Sequence, residues 1–137
     1  MFTRSTRTAK PARTVLRLEA LEAREVPAIL IQLDYSHDVS GFFNNPEARA
    51  TMEQVASDLG NSLDASLAAI TPAGGNTWTA TFFDPATGGQ TSVSNLSIGA
   101  NTIKVFVGAR SMSNSEAGFG GYGGYSISGT QAWLDTV

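Results

Sequence analysis

The feature that most constrains the fold is a long amphipathic segment in the first half of this 137-residue chain. It opens on Asn45-Pro46-Glu47, in which Asn caps a helix, Pro suits the first helical position and Glu favours the positive end of the dipole. Apolar residues then recur every three or four positions, at Ala48, Met52, Val55, Leu59, Leu63, Leu67 and Ile70. Gly60-Asn61 is a possible earlier end, but the stripe keeps its phase across that pair. The pattern therefore predicts one helix over residues 46–70, about 37 Å long.

Alternating apolar and polar residues predict β-strands on both sides of this helix. The first strand covers residues 29–35, and three more are expected over residues 77–83, 91–98 and 102–109. The turn residues at 84–89 predict a hairpin, and the second hairpin strand has the irregular pattern of a bulge or a sheet edge. This order predicts an α+β domain over residues 29–137, with the helix packed on one face of a mainly antiparallel or mixed sheet.

Composition excludes several classes of function. Apolar residues form 42% of the chain and charged residues 15%, which favours a globular domain over a disordered chain. The sequence has no stretch of about 18 apolar residues, so no membrane span is expected. With no cysteine and one histidine, the chain lacks a thiolate nucleophile and the usual ligands of a zinc or iron–sulfur site. No cofactor is therefore expected in this chain.

The charge is divided between a basic arm and an acidic body. Residues 1–25 carry a net charge of +3, which leaves −6 on residues 26–137 of a chain whose total is −3. An acidic body repels phosphate backbones, so no nucleic-acid partner is expected. Residues 1–13 have no apolar period and are expected to be disordered, whereas residues 15–26 predict a short amphipathic helix that ends at Pro27. That helix is too short to be stable alone in water.

The most polar cluster near a strand end is Asp34-Tyr35-Ser36-His37-Asp38. A carboxylate beside an imidazole is suited to acid–base chemistry or to holding a metal, so Asp34, His37 and Asp38 are the candidate site residues. A zinc site needs three or four protein ligands, however, and the alternative is a solvated loop. No Gly-x-Ser-x-Gly is present to place a nucleophile. The sequence therefore predicts no complete catalytic or metal site.

Two further patterns have ordinary structural explanations. Gly118, Gly120 and Gly123 satisfy the dinucleotide fingerprint Gly-x-Gly-x-x-Gly, but no strand directly precedes it and the residues after it are poor helix formers. A flexible loop is the favoured interpretation. Aromatic residues at Trp78, Phe82 and Phe83 could stack on sugars or bases, although aromatics in strands usually belong to the core.

The segment from Leu16 to Ala28, Leu-Arg-Leu-Glu-Ala-Leu-Glu-Ala-Arg-Glu-Val-Pro-Ala, resembles the Leu-Glu-x-Leu-Glu-x-Arg-x-x-Pro-Ala tail of many large exported planctomycete proteins. The resemblance implies export to the extracellular space or the cell surface, with residues 1–28 as an export-type tail and the mature structure beginning near Ile29. A plain amphipathic linker helix is the alternative.

The body resembles the start of secreted bacterial zinc metalloproteases of the zincin type. The resemblance rests on Ile-Gln-Leu-Asp-Tyr-Ser-His-Asp-Val-Ser-Gly-Phe-Phe at residues 31–43, on the helix that follows, and on Ile-Lys-Val-Phe-Val-Gly-Ala-Arg at residues 103–110. It implies the upper half of a zincin domain, and zinc and a peptide substrate only in a full-length relative. The zincin signature His-Glu-x-x-His is absent, so no catalytic residue is carried over.

Three hypotheses follow from these observations. The first is a non-catalytic N-terminal portion of an exported zincin-like metallopeptidase, whose partner is the missing C-terminal half of its own domain. The end of the sequence on Trp133, Leu134 and Val137 favours this hypothesis, because it has the pattern of an interrupted element. The second is a complete, small, surface-exported binding or structural module. The third is a standalone hydrolase that uses His37 as its base.

Overall fold

A computed structural model describes residues 28–112 and 117–137 of the chain. The tail and the short amphipathic helix predicted before residue 28 lie outside the described residues. The described residues form, in order, β1 (Leu30–Asp34), α1 (Pro46–Ser62), β2 (Thr77–Phe83), β3 (Gln90–Ser94), β4 (Thr102–Phe106), β5 (Gly124–Ser128) and α2 (Gln131–Leu134). A short 3₁₀-helix, Phe42–Asn44, precedes α1. The predicted α+β class and the order strand, helix, three strands are confirmed.

The strands form two sheets rather than the single sheet that was predicted. β1 and β4 pair in parallel, with Ile31 opposite Ile103 and Leu33 opposite Val105. β2 lies at the centre of an antiparallel sheet of order β3-β2-β5. The expected hairpin is therefore confirmed, and of the two explanations for the irregular pattern of β3, a bulge or a sheet edge, the structure shows the edge position. β3 ends at Ser94 because Asn95 adopts a left-handed conformation, with φ of 54°.

The main helix begins as predicted and ends earlier than predicted. The Asn45 side chain accepts hydrogen bonds from the backbone N–H groups of Glu47 and Ala48, at 2.8 and 3.2 Å. The helix stops at Ser62, and the following residues are extended. The N–H of Leu67 donates to the Asn101 side chain at 2.9 Å, and Ile70 forms an antiparallel bridge with Ile98. These long-range pairings replace the last helical turns that the apolar spacing predicted.

The core has two parts, one between α1 and β1 and one between the two sheets. α1 packs over β1 with Ala56 and Gly60 buried. Gly60 lies so close to the Ile29 carbonyl oxygen that a Cβ at this position would collide with it. Phe82 of β2 stacks on Phe106 of β4 with ring centroids 3.9 Å apart, and this contact joins the two sheets. The buried apolar residues are Ile29, Phe43, Ala56, Trp78, Ala80 and Val107.

Candidate functional site

The loop after β1 holds the three residues that the sequence singled out, and each has a different environment. Asp34 ends β1 and forms an ion pair with Lys104 of β4, with Oδ2 and Nζ 2.9 Å apart. Its Oδ1 accepts a hydrogen bond from the Ser36 N–H at 3.0 Å. Burial raises the pKa of Asp34, but the hydrogen bonds from Ser36 and the charge of Lys104 outweigh it and lower the pKa to about 2. Asp34 is therefore an ionised structural partner of Lys104.

Asp38 connects the loop to both neighbouring segments. Its Oδ2 accepts a hydrogen bond from the Phe43 N–H at 2.8 Å, which holds the start of the 3₁₀-helix. Its Oδ1 accepts from the Ser40 hydroxyl at 2.8 Å and from the Ala109 N–H at 3.2 Å. The hydrogen bond from Phe43 is the main cause of the lowered pKa of Asp38. With these lone pairs engaged, Asp38 fixes the loop against the residues that follow β4.

His37 lies on the aromatic contact between the two sheets. Its ring meets Phe82 and Phe106 edge-on, with centroids 5.2 and 5.4 Å away. Its Nδ1 lies 3.6 Å from Oδ1 of Asp84, a separation beyond hydrogen-bond distance. That Asp84 oxygen accepts a hydrogen bond from the Ala86 N–H at 2.7 Å, which closes the turn between β2 and β3. His37 therefore lies beside a carboxylate that the sequence analysis did not single out.

The geometry of this cluster bears on whether it could support acid–base chemistry or hold a metal ion. The carboxylates of Asp34 and Asp38 are held by Lys104 and by backbone N–H groups, and Asp84 is the acidic group beside the imidazole. Asp84 lies in the turn between β2 and β3, far from His37 in the sequence, and only the folded chain brings the two together. Local residue spacing could therefore not have predicted that Asp84 lies beside His37. Among the residues that the structure describes, no three His, Asp or Glu side chains form a group able to hold a metal ion.

A second feature is an open groove of about 400 Å³ between β1 and α1. Tyr35 lies at one end of it, with the Arg49 guanidinium 4.3 Å from its ring centroid. Burial, followed by the negative charge of Glu53, raises the pKa of Tyr35. Its hydroxyl is buried and has no hydrogen-bond partner among the described residues. The sequence analysis placed Tyr35 in the first strand and did not identify this groove.

The comparisons with known proteins add no family to these observations. Neither a protein-family model, nor a curated protein, nor a solved structure matches the chain. Within residues 28–112 and 117–137, no helix has the length and the apolar character that crossing a bilayer requires.

Proposed function

We propose that this chain is the non-catalytic N-terminal portion of an exported zinc-metallopeptidase-like protein. The observation that carries the proposal is an apolar side of the β1–β4 sheet that α1 covers only in part. Parallel pairing places Ile103 and Val105 on the same side as Ile31 and Leu33. α1 lies over β1 on that side, and Ile103 and Val105 each remain 38% exposed.

The helix has an uncovered apolar side as well. Val55 and Leu59 are 56% and 52% exposed, although both belong to the apolar stripe that the sequence predicts to be buried. In a layered domain, each apolar face is buried against a neighbouring element. If that neighbour is missing, apolar residues remain exposed on the helix and on the strand pair beneath it. These residues support the proposal that a further segment of the parent protein packs beside α1.

The chemistry of such a protein would come from that further segment. This chain has a single histidine and no His-Glu-x-x-His, so zinc and a peptide substrate are proposed only for a full-length relative. The resemblance of residues 31–43 and 103–110 to zincins supports this assignment. The tail pattern of residues 16–28 supports export to the extracellular space or the cell surface.

The test begins with the gene and ends with the protein. We expect the nucleotides after codon 137 to encode His-Glu-x-x-His within about 100 residues, in frame or after a frameshift. The extended chain should then bind zinc stoichiometrically and hydrolyse a casein substrate, whereas residues 1–137 should do neither. An intergenic sequence at that place, or an extended chain that binds no zinc, would refute the proposal. Zinc-dependent proteolysis by residues 1–137 alone would refute it too.

A second candidate is a complete, surface-exported binding module. The feature that favours it is the outer face of the β3-β2-β5 sheet, which has no Asp, Glu, Lys or Arg at its ten positions. Binding of a hydrophobic dye distinguishes the two candidates. A complete module should bind little of the dye, whereas a partial domain should bind it at the exposed apolar positions of α1 and β4.

A further inference from the structure

Hydroxyl-bearing side chains occupy seven of the ten positions on the outer face of the β3-β2-β5 sheet. The antiparallel register places on one face the residues Thr77, Thr79, Thr81 and Phe83 of β2, Gln90, Ser92 and Ser94 of β3, and Gly124, Ser126 and Ser128 of β5. The opposite face contains Trp78, Ala80 and Phe82, which pack towards the core. The outer face therefore points away from the domain's interior.

This face has an unusual lack of charge for an exposed sheet surface. None of its ten positions is Asp, Glu, Lys or Arg. The four serines are exposed, and the three threonines are half-buried. Hydroxyls on alternate residues of a strand lie about 6.6–6.8 Å apart, and neighbouring strands about 4.8 Å apart. The result is a regular array of groups that can both donate and accept hydrogen bonds.

Exposed aromatic rings adjoin one end of the array. Phe83 belongs to the face and is 49% exposed, and its ring meets Phe119 edge-on with centroids 5.6 Å apart. Phe119 and Tyr122 are 64% and 96% exposed. The sequence analysis grouped Phe83 with Trp78 and Phe82 as an expected core cluster, but the strand alternation turns it outwards.

A pocket of about 380 Å³ connects the array to the rings. It is lined by Thr81, Phe82 and Phe83 of β2, by Gln90 of β3, and by Tyr122 with the glycines at positions 121, 123 and 124. Gly123 is required there, because a Cβ at this position would collide with the Thr81 carbonyl oxygen. A volume of this size lies in the range of small-ligand sites, and its lining combines aromatic rings with hydroxyl and amide groups.

These features narrow the chemistry of a ligand. Without a cation on the face, a phosphate, a carboxylate or an anionic lipid surface finds no complementary charge. A neutral polysaccharide presents hydroxyl groups along its edges and C–H groups on the faces of its rings. The sugar hydroxyl groups can form hydrogen bonds with the Ser and Thr array, and the C–H faces of the sugar rings can stack on the exposed aromatic rings. We propose that this outer face and its aromatic end bind a neutral polysaccharide, independently of whether the parent protein is a peptidase.

The test uses the full 137-residue chain and two matched pairs of variants. Retention on insoluble cellulose and on insoluble chitin is measured by co-sedimentation, and affinity by titration with soluble cellohexaose and chitohexaose. Tyr122→Ala removes an exposed ring at the aromatic end, and Tyr125→Ala removes a ring on the opposite face, where Tyr125 lies beside Trp78. Thr79→Val removes an outer hydroxyl, and Thr91→Val removes one from the inner face of β3. Circular dichroism verifies that each variant is folded.

We expect binding to cellulose or to chitin, weakened about fivefold or more by Tyr122→Ala and measurably by Thr79→Val, since an aromatic contact contributes about 1 kcal/mol. Tyr125→Ala and Thr91→Val should bind as the parent chain does. The proposal is overturned if neither polysaccharide is bound at millimolar sugar concentrations, or if only an anionic polysaccharide such as alginate is bound. It is also overturned if the outer and inner variants lose the same affinity. If this surface binds another protein instead, neither polysaccharide should be bound.

Discussion

The polar residues after β1 illustrate how a pattern typical of a site can serve the fold. Asp34 and Asp38 occupy the positions that suggested acid–base chemistry, and both carboxylates accept hydrogen bonds from backbone N–H groups. The imidazole of His37 is enclosed by Phe82, Phe106 and Asp84. Only long-range pairing brings those partners to it. The sequence could therefore identify the cluster as polar and short of ligands, but not the partner of each residue.

The ion pair between Asp34 and Lys104 predicts a dependence of stability on pH. The pKa of Asp34 falls from 3.8 to about 2 on folding, so its contribution is present above pH 4 and is lost as the pH falls towards 2. Allowing for solvent screening, that contribution is about 1 kcal/mol. Urea unfolding at neutral pH and near pH 2 measures it. We expect Asp34→Asn to lose about 1 kcal/mol less than the parent chain between the two pH values.

Asp64→Asn, in the exposed loop after α1, is the control for this measurement. It should show the same pH dependence as the parent chain, since its carboxylate is not part of the Asp34–Lys104 pair. An Asp34→Asn variant that loses as much stability as the parent chain on acidification would show that the ion pair does not act in this way.

Among the elements, the sequence predicted the start of α1 correctly but not its end. The cap at Asn45 and the first helical residue, Pro46, are where the sequence predicted them, because capping depends on neighbours two and three residues away. The C-terminal end was wrong by eight residues, from Ile70 to Ser62. The helical spacing of apolar residues continues through residues 63–70, but this segment is not helical. Within it, Leu67 pairs with Asn101 and Ile70 pairs with Ile98. Tertiary pairing has overridden local preference there.

β5 was not predicted at all. Glycine-rich residues before it and the sequence Gly-Tyr-Ser-Ile-Ser gave little β signal, so a loop was expected. Pairing with β2 supplies the order that the local sequence lacks, with Ile127 opposite Trp78 and Tyr125 opposite Ala80. A strand, rather than a helix, follows Gly118, Gly120 and Gly123, which agrees with the rejection of a dinucleotide fingerprint.

The close approach of α1 to β1 gives a prediction for Gly60. In a helix, Gly→Ala is normally favourable by about 0.8–1.0 kcal/mol. Here the added Cβ would collide with the Ile29 carbonyl oxygen, so we expect Gly60→Ala to lower the free energy of unfolding by about 1–3 kcal/mol. Asn61→Ala, at the next and exposed position, should be neutral or slightly stabilising. Chemical denaturation measures both, and a stabilising Gly60→Ala would contradict the described packing.

At the scale of the whole molecule, two small sheets are joined mainly through the stacked rings of Phe82 and Phe106. The sequence predicted the class and four of the strands, because alternation is local. It could not divide those strands between two sheets, since that depends on which segments meet after folding. The exposed positions on β4 follow from the same arrangement, in which α1 covers β1 and leaves Ile103 and Val105 partly open.

Because Ile103 and Val105 are partly exposed and Val107 is buried, polar substitutions at these positions should affect stability to different extents. Ile103→Thr combined with Val105→Thr replaces two residues that are each 38% exposed, and Thr retains a high β-propensity. We expect dye binding and aggregation to fall, with a change in the free energy of unfolding below about 1 kcal/mol, because little apolar contact is lost. Val107→Thr is the control, since Val107 is 8% exposed and a buried hydroxyl without a partner should cost about 1–3 kcal/mol. Fluorescence of a hydrophobic dye and urea unfolding measure the two effects. If the double variant is destabilised as strongly as Val107→Thr, this side of β4 is already covered in solution, and the proposal of a missing neighbour for α1 loses its support.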